Sequence, residues 1–101
     1  MASSHIETYS RNLLFPIGAL VFSAGIDQLV RAGRLDPMPY FRRHTRGDWG
    51  DVSDPQWQAN NAALQSGGPL ESSYAVHREL SIRISTSGER QQTSITLPSE
   101  H

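Results

Sequence analysis

From Leu70 to Leu97 apolar and polar side chains alternate with a period of two, in three runs separated by short loops, and no other part of the chain restricts the fold as much. Leu70, Ser72, Tyr74 and Val76 share one side of the first run, Leu80, Ile82 and Ile84 one side of the second, and Thr93, Ile95 and Leu97 one side of the third. Successive side chains of a strand point to opposite faces, so each run reads as a half-buried strand. The loops His77-Arg78-Glu79 and Ser87-Gly88-Glu89-Arg90 are short enough to close hairpins. The pattern predicts a three-stranded antiparallel meander with one wet face. Three strands cannot bury their apolar side alone, so the preceding residues must cover it.

Those residues carry helix signals. Ser23 is placed as an N-cap, Ile26, Leu29 and Val30 fall at i, i+3 and i+4, and Gly33 stands where a helix should stop. Asp36-Pro37 starts a second helix, with Met38 and Phe41 turned to the core and an end near His44 or Thr45, before Gly47. Ser53-Asp54-Pro55-Gln56 has the form of a capping box, and Val52 with Trp57 that of a hydrophobic staple. The third helix is expected to share Trp57, Asn61 and Leu64 on one face, with Trp57 in the core, and to end at Ser66-Gly67-Gly68-Pro69. Before the first helix, the apolar run Leu13 to Phe22 is broken by Pro16 and Gly18, which favours a short buried strand or extended segment. Met1 to Asn12 has no period and reads as a flexible polar arm, leaving residues 13–101 as a single α+β domain.

A chain of 101 residues has room for one core. Its 37% hydrophobic content makes that core thin. The formal charge of -1 supplies no overall field toward nucleic acid or an anionic membrane, so any such contact must be local. All nine basic residues are arginine. The absence of cysteine removes disulfides, thiolate metal sites and cysteine nucleophiles. The Leu13–Val21 run is about half of the roughly 20 residues that a membrane helix needs, and the N-terminus has no signal-peptide pattern, so a cytoplasmic location and no membrane contact are expected. No glycine-rich phosphate loop or cofactor motif is present, so no cofactor is expected.

The least generic stretch is the connector Phe41-Arg-Arg-His-Thr-Arg-Gly-Asp-Trp-Gly-Asp-Val-Ser-Asp54. His44 and Asp48 suggest an acid–base pair, because histidine titrates near neutrality and a carboxylate can orient it, but no hydroxyl or second carboxylate is placed beside them by spacing. Asp48, Asp51 and Asp54 lack a calcium-loop spacing, and two of them lie at a helix start, so no metal is expected. Arg42, Arg43 and Arg46 with Trp49 form a possible nucleic-acid footprint, which three neighbouring aspartates would partly cancel. The residues singled out for binding are Arg43, His44, Arg46, Asp48 and Trp49, with catalysis assigned to none.

Phe41 to Trp57, read with Thr96-Leu97-Pro98-Ser99-Glu100, resembles a family of small uncharacterised bacterial proteins carried on plasmids and integrated mobile elements. Its members share a His-x-Arg-Gly-Asp-Trp-Gly motif, an asparagine near Asn60 or Asn61, a Ser-x-Tyr strand as at Ser72 and Tyr74, and an ending close to Ile-x-Leu-Pro-Ser-Glu. They also tend to carry a large apolar residue in the strand that here reads Leu80-Ser-Ile-Arg-Ile84. Some members are labelled as a type I restriction methyltransferase subunit, for which this chain has neither a methyl-donor glycine loop nor an Asn-Pro-Pro-aromatic motif. The resemblance implies an accessory protein of a mobile element. With the connector, it gives the expectation of a non-enzymatic protein that binds a protein partner through Arg42–Gly50. The alternatives are a small hydrolase or nuclease using His44 and Asp48, and a nucleic-acid-binding protein using Arg42, Arg43, Arg46 and Trp49.

Overall fold

A computed structural model describes residues 13–100; the predicted polar arm lies outside them. Strand β1 (Ala19–Phe22) leads through helices α1 (Ala24–Arg31), α2 (Met38–Thr45) and α3 (Asp54–Ser66) to strands β2 (Leu70–His77), β3 (Leu80–Thr86) and β4 (Gln92–Thr96). Short 3-10 turns at Gly88–Arg90 and Pro98–Glu100 follow β3 and β4. The class is α+β, as the periodicities indicate.

The three alternating runs do form antiparallel neighbours, with Tyr74 opposite Ile82 and Ile84 opposite Ile95. The sheet nevertheless has four strands, in the order β1-β4-β3-β2, because β1 joins β4 in parallel register. This corrects the meander to a mixed sheet. The expected buried strand is also shorter and more exposed: it begins only at Ala19, and Leu20 and Val21 are 37% and 41% exposed. Gly18 explains the late start, since at φ 65° it packs so tightly on the Gln91 carbonyl that a Cβ would lie 2.2 Å from it. The main chain turns there before it can run alongside β4. Ala19 N donates to Gln91 O and Ser23 N to Ile95 O, so by alternation Leu20 and Phe22 aim their backbone groups at the free side.

The helix starts follow their sequence signals. Ser23 Oγ accepts from Ile26 N at 3.2 Å, and Ser53 Oγ from Gln56 N at 3.2 Å. The second start is displaced by one residue: Pro37 stands at the N-cap in place of Asp36, and Asp36 Oδ1 accepts from Met38 N at 3.1 Å from just outside the helix. The capping box is only half made, because the Gln56 amide turns to Asn60 Oδ1 instead of back to Ser53. Trp57 is a further correction: it is 36% exposed and lies outside the core. The buried face of α3 is centred on Asn60 and Ala63, not on Trp57, Asn61 and Leu64. A helix with so few large apolar residues is oriented by its best polar contact, and Asn60 makes it.

The core has two parts. Ile26, Leu35, Phe41, Tyr74, Ile82, Ile84 and Ile95 form one, between α1, α2 and the sheet. Phe15, Trp49, Ala63 and Leu70 form the other, toward α3. The opposite face of the sheet carries Ser73, Arg83, Ser85 and Ser94, all half-buried.

Candidate functional site

Phe41, His44 and Thr45 recur at i, i+3 and i+4 on α2 and are all buried, so the helix that holds Phe41 in the core carries His44 inward with it. The imidazole meets the edges of Phe15 and Trp49, with ring centroids 5.4 and 5.5 Å away. Its two nitrogens reach hydroxyls on two different strands: Nδ1 lies 2.5 Å from Ser72 Oγ and Nε2 lies 2.9 Å from Thr86 Oγ1. Thr86 Oγ1 is 2.8 Å from Thr93 Oγ1, which donates to the Ile17 carbonyl at 2.8 Å.

A carbonyl can only accept, and this fixes the protons from Ile17 back to His44 Nε2. Thr93 spends its hydrogen on Ile17, so it accepts from Thr86. Thr86 then accepts from His44 Nε2–H, and in the neutral ring His44 Nδ1 accepts from Ser72. A neutral imidazole with its proton on Nε2 satisfies the whole relay. Burial, reinforced by the Arg90 charge, lowers the His44 pKa to about 4. The relay is fully bonded, and no buried side-chain nitrogen or oxygen among the described residues lacks a partner.

Asp48 is occupied elsewhere. Arg43 Nε donates to its Oδ2 at 2.8 Å and Arg43 Nη2 to its Oδ1 at 3.2 Å, while Gly50 N donates to Oδ1 at 3.2 Å. The hydrogen bond to Arg43 lowers the carboxyl pKa, and the same bond raises that of the guanidinium. Arg43 also sits 4.8 Å above the ring of Tyr74, whose hydroxyl donates to the Asp48 carbonyl at 2.6 Å. Burial pushes the Tyr74 pKa up to about 12. His44 and Asp48 therefore do not form the expected acid–base pair.

Trp49 is wholly buried, stacked on Phe15 at 6.2 Å, and its indole N–H donates to Asn61 Oδ1 at 3.0 Å. The glycines on either side allow this. Gly50, at φ 73°, lies so close to β2 that a Cβ would come within 2.1 Å of the Ser73 carbonyl oxygen. There the connector covers the outer edge of β2: Ser73 N donates to Trp49 O at 3.1 Å and Asp51 N to Ser73 O at 2.7 Å. Asp51 Oδ2 accepts from Ala75 N at 3.3 Å. Asn60 completes the edge, accepting from Glu71 N at 3.1 Å and donating to Glu71 O at 2.7 Å.

Of the five residues singled out for binding, His44 and Trp49 are thus interior, Arg43 and Asp48 are half-exposed and paired, and Arg46 is exposed. Arg42, one turn before Arg46, is exposed as well. Leu14 packs beside them: its N–H donates to Thr45 O at 3.0 Å, and its side chain approaches Gly47 while remaining 59% exposed. A hollow of about 380 Å³ is lined by Leu13, Leu14, Phe15 and Pro16.

Sequence reasoning missed Ser72 and Thr86 as partners of His44, and Thr93 as the next member of the relay. A signal was available, because each falls on the apolar face of its strand, where an unpaired hydroxyl would be costly. It also missed Arg90, whose guanidinium donates to the carbonyls of Gly68 and Ala63 and closes the end of α3. Among the described residues no three histidine, aspartate or glutamate side chains converge as a metal site would require. No helix among them is long and apolar enough to cross a membrane. Comparison of the chain with family models, with curated proteins and with solved structures finds no match.

Proposed function

We propose that this chain is a non-enzymatic accessory protein that docks on a protein partner through the outer rim of the Arg42–Gly50 connector. One observation carries the reading. Leu14, more exposed than any other large apolar residue among those described, lies against a helix end that presents Arg42 and Arg46 on one face. A partner surface offering an apolar side chain flanked by carboxylates matches that arrangement, and arginine is well suited to such contacts. The underside of the connector is fixed by the buried Trp49, the Arg43–Asp48 pair and the bridge to β2, so the rim is held in place before a partner arrives.

The resemblance to plasmid and mobile-element proteins supports a role within such an element. A hydrolase reading is less favoured, because both nitrogens of His44 and the carboxylate of Asp48 are committed to separate structural bonds. The test is affinity capture from bacteria carrying the parent element, comparing wild type with Leu14→Asp and with the pair Arg42→Glu and Arg46→Glu. Loss of the same protein in both variants, with unchanged thermal melting, supports the proposal. Retention on nucleic acid that weakens steeply with salt, and is abolished by the arginine substitutions alone, would replace it with the nucleic-acid reading.

A further inference from the structure

The half-buried face of the sheet opposite the core carries an unusual pairing of charges. Glu71 stands opposite Ser85 and Ser73 opposite Arg83, so Glu71 and Arg83 are diagonal neighbours on one face of adjacent strands. Diagonal positions lie roughly 7–8 Å apart, within reach of long side chains. No ion pair joins them: the ion pairs among the described residues are Arg31–Asp27 and Arg43–Asp48. Between them the surface is concave. A hollow of about 240 Å³ is lined by Asp51, Ser53, Gln56, Glu71, Ser73 and Arg83, together with Val52. It shares Gln56 and Glu71 with a second hollow of about 340 Å³, whose walls include Pro69, Leu70, Ser85 and Gln92.

We propose that this double hollow binds a free α-amino acid. Arg83 offers a planar fork of donors suited to a carboxylate. Glu71, with the Asp51 carboxylate on the same wall, offers acceptors suited to an ammonium group. A ligand that carries both charges on one carbon satisfies both at once, whereas a simple anion or cation leaves one uncompensated. Asp51 is held in position by its bond from Ala75 N, and the Gln56 amide by its bond to Asn60, so two of the lining groups are preset. The adjoining hollow, with the apolar ring of Pro69 and the amide and hydroxyl of Gln92 and Ser85 on its walls, takes an uncharged side chain of several atoms. This site is separate from the arginine and leucine rim, and it stands whether or not a protein docks there.

The experiment is a titration of the isotopically labelled full chain, followed by backbone amide shifts, with L-glutamine as the probe. N-acetyl-L-glutamine, which lacks the ammonium, and L-glutamine α-amide, which lacks the carboxylate, are the paired controls. The expected result is saturable movement of the Glu71, Ser73, Arg83 and Ser85 amides with L-glutamine. Each control, and each of Glu71→Gln and Arg83→Gln, should weaken it by about tenfold or more, the usual cost of removing one charged hydrogen-bonding partner. Both substituted residues lie on the solvent side of the sheet, so an unchanged melting temperature confirms that the fold is intact. No saturable shift at millimolar L-glutamine overturns the proposal, as does equal binding by either control or by either variant.

Discussion

Asn60 pairs with Glu71 as though it were a residue of a neighbouring strand, accepting from its backbone N–H at 3.1 Å and donating to its backbone carbonyl at 2.7 Å. A helix thereby closes a sheet edge with a side chain. The amide is fully buried, and both of its functions are needed.

Replacing Asn60 with Ala should accordingly cost roughly 2–4 kcal/mol, since a buried donor and a buried acceptor on β2 both lose their partner. Asn60→Asp should fail as well, because a carboxylate cannot donate to the Glu71 carbonyl. Urea denaturation at neutral pH measures both losses. A cost below about 0.5 kcal/mol for either variant, the size of an ordinary surface substitution, would mean that the amide is not what holds this edge.

His44 makes stability depend on pH in a defined direction. Its folded pKa, lowered to about 4 by burial and by Arg90, lies below its ordinary 6.5, so between these values the unfolded chain binds more protons than the folded one. Stability is complete above about 6.5 and declines as pH falls toward 4, by roughly 3 kcal/mol in total at 1.36 kcal/mol per pH unit. The carboxylates of Asp48 and Glu100 are also lowered, and they give way at more acidic pH than the upper half of this window. Denaturation midpoints between pH 7 and 5 should fall in the wild type and stay nearly level in His44→Asn, even though that variant starts lower.

Two glycines separate crowding from backbone conformation. Gly50 and Gly67 both have positive φ, at 73° and 83°, but a Cβ at Gly50 would meet the Ser73 carbonyl at 2.1 Å, whereas one at Gly67 would meet nothing within 4 Å. Gly67→Ala should cost about 1–2 kcal/mol, the price of the left-handed conformation alone. Gly50→Ala should cost more than about 3 kcal/mol, because strand β2 must move as well. Equal losses in the two melting curves would contradict the close approach of the connector to β2.

The end of the described chain is tied to its beginning. The Glu100 carboxylate accepts from the Ser23 hydroxyl at 2.5 Å, Gly25 N at 2.9 Å and Leu97 N at 2.7 Å, and these bonds hold its pKa down. In Glu100→Gln the amide protons of Gly25 and Ile26 should exchange with solvent faster than in the wild type, while those of β3 are unaffected. Exchange at α1 that does not change would show the clamp to be dispensable. Gly25→Ala is expected to act in the same direction, because its Cβ would lie 2.6 Å from Leu97 Cδ1.

The three alternating strands and the starts and stops of the helices were legible because each rests on local chemistry: period two, Ser23, Asp36, Ser53 and the glycines at 33 and 67. The parallel partner of β1 was not, since it depends on Ala19 to Phe22 meeting residues more than seventy positions later. The connector was recognised as special for a partly mistaken reason. Its tryptophan and histidine looked like groups offered to a ligand, yet they are interior, and the Gly-Asp-Trp-Gly sequence is spent on seating Trp49 and covering β2. Period two did place Ser72 and Thr93 on the core face, but the histidine that bonds Ser72 and Thr86 comes from a helix 28 or more residues away, which no local pattern reveals.

The covered edge of β2 also limits how this sheet can grow. Its backbone groups at Glu71 and Ser73 and the Ala75 N–H are already matched by Asn60, Trp49 and Asp51, and the outward-facing groups of Leu20 and Phe22 on β1 are not matched by any neighbouring strand among the described residues. The longest uncovered edge is therefore that of β1. A strand arriving from outside adds most readily there, and two molecules joined along β1 would leave a third only the covered edge of β2, which guards such a sheet against running on into a fibre.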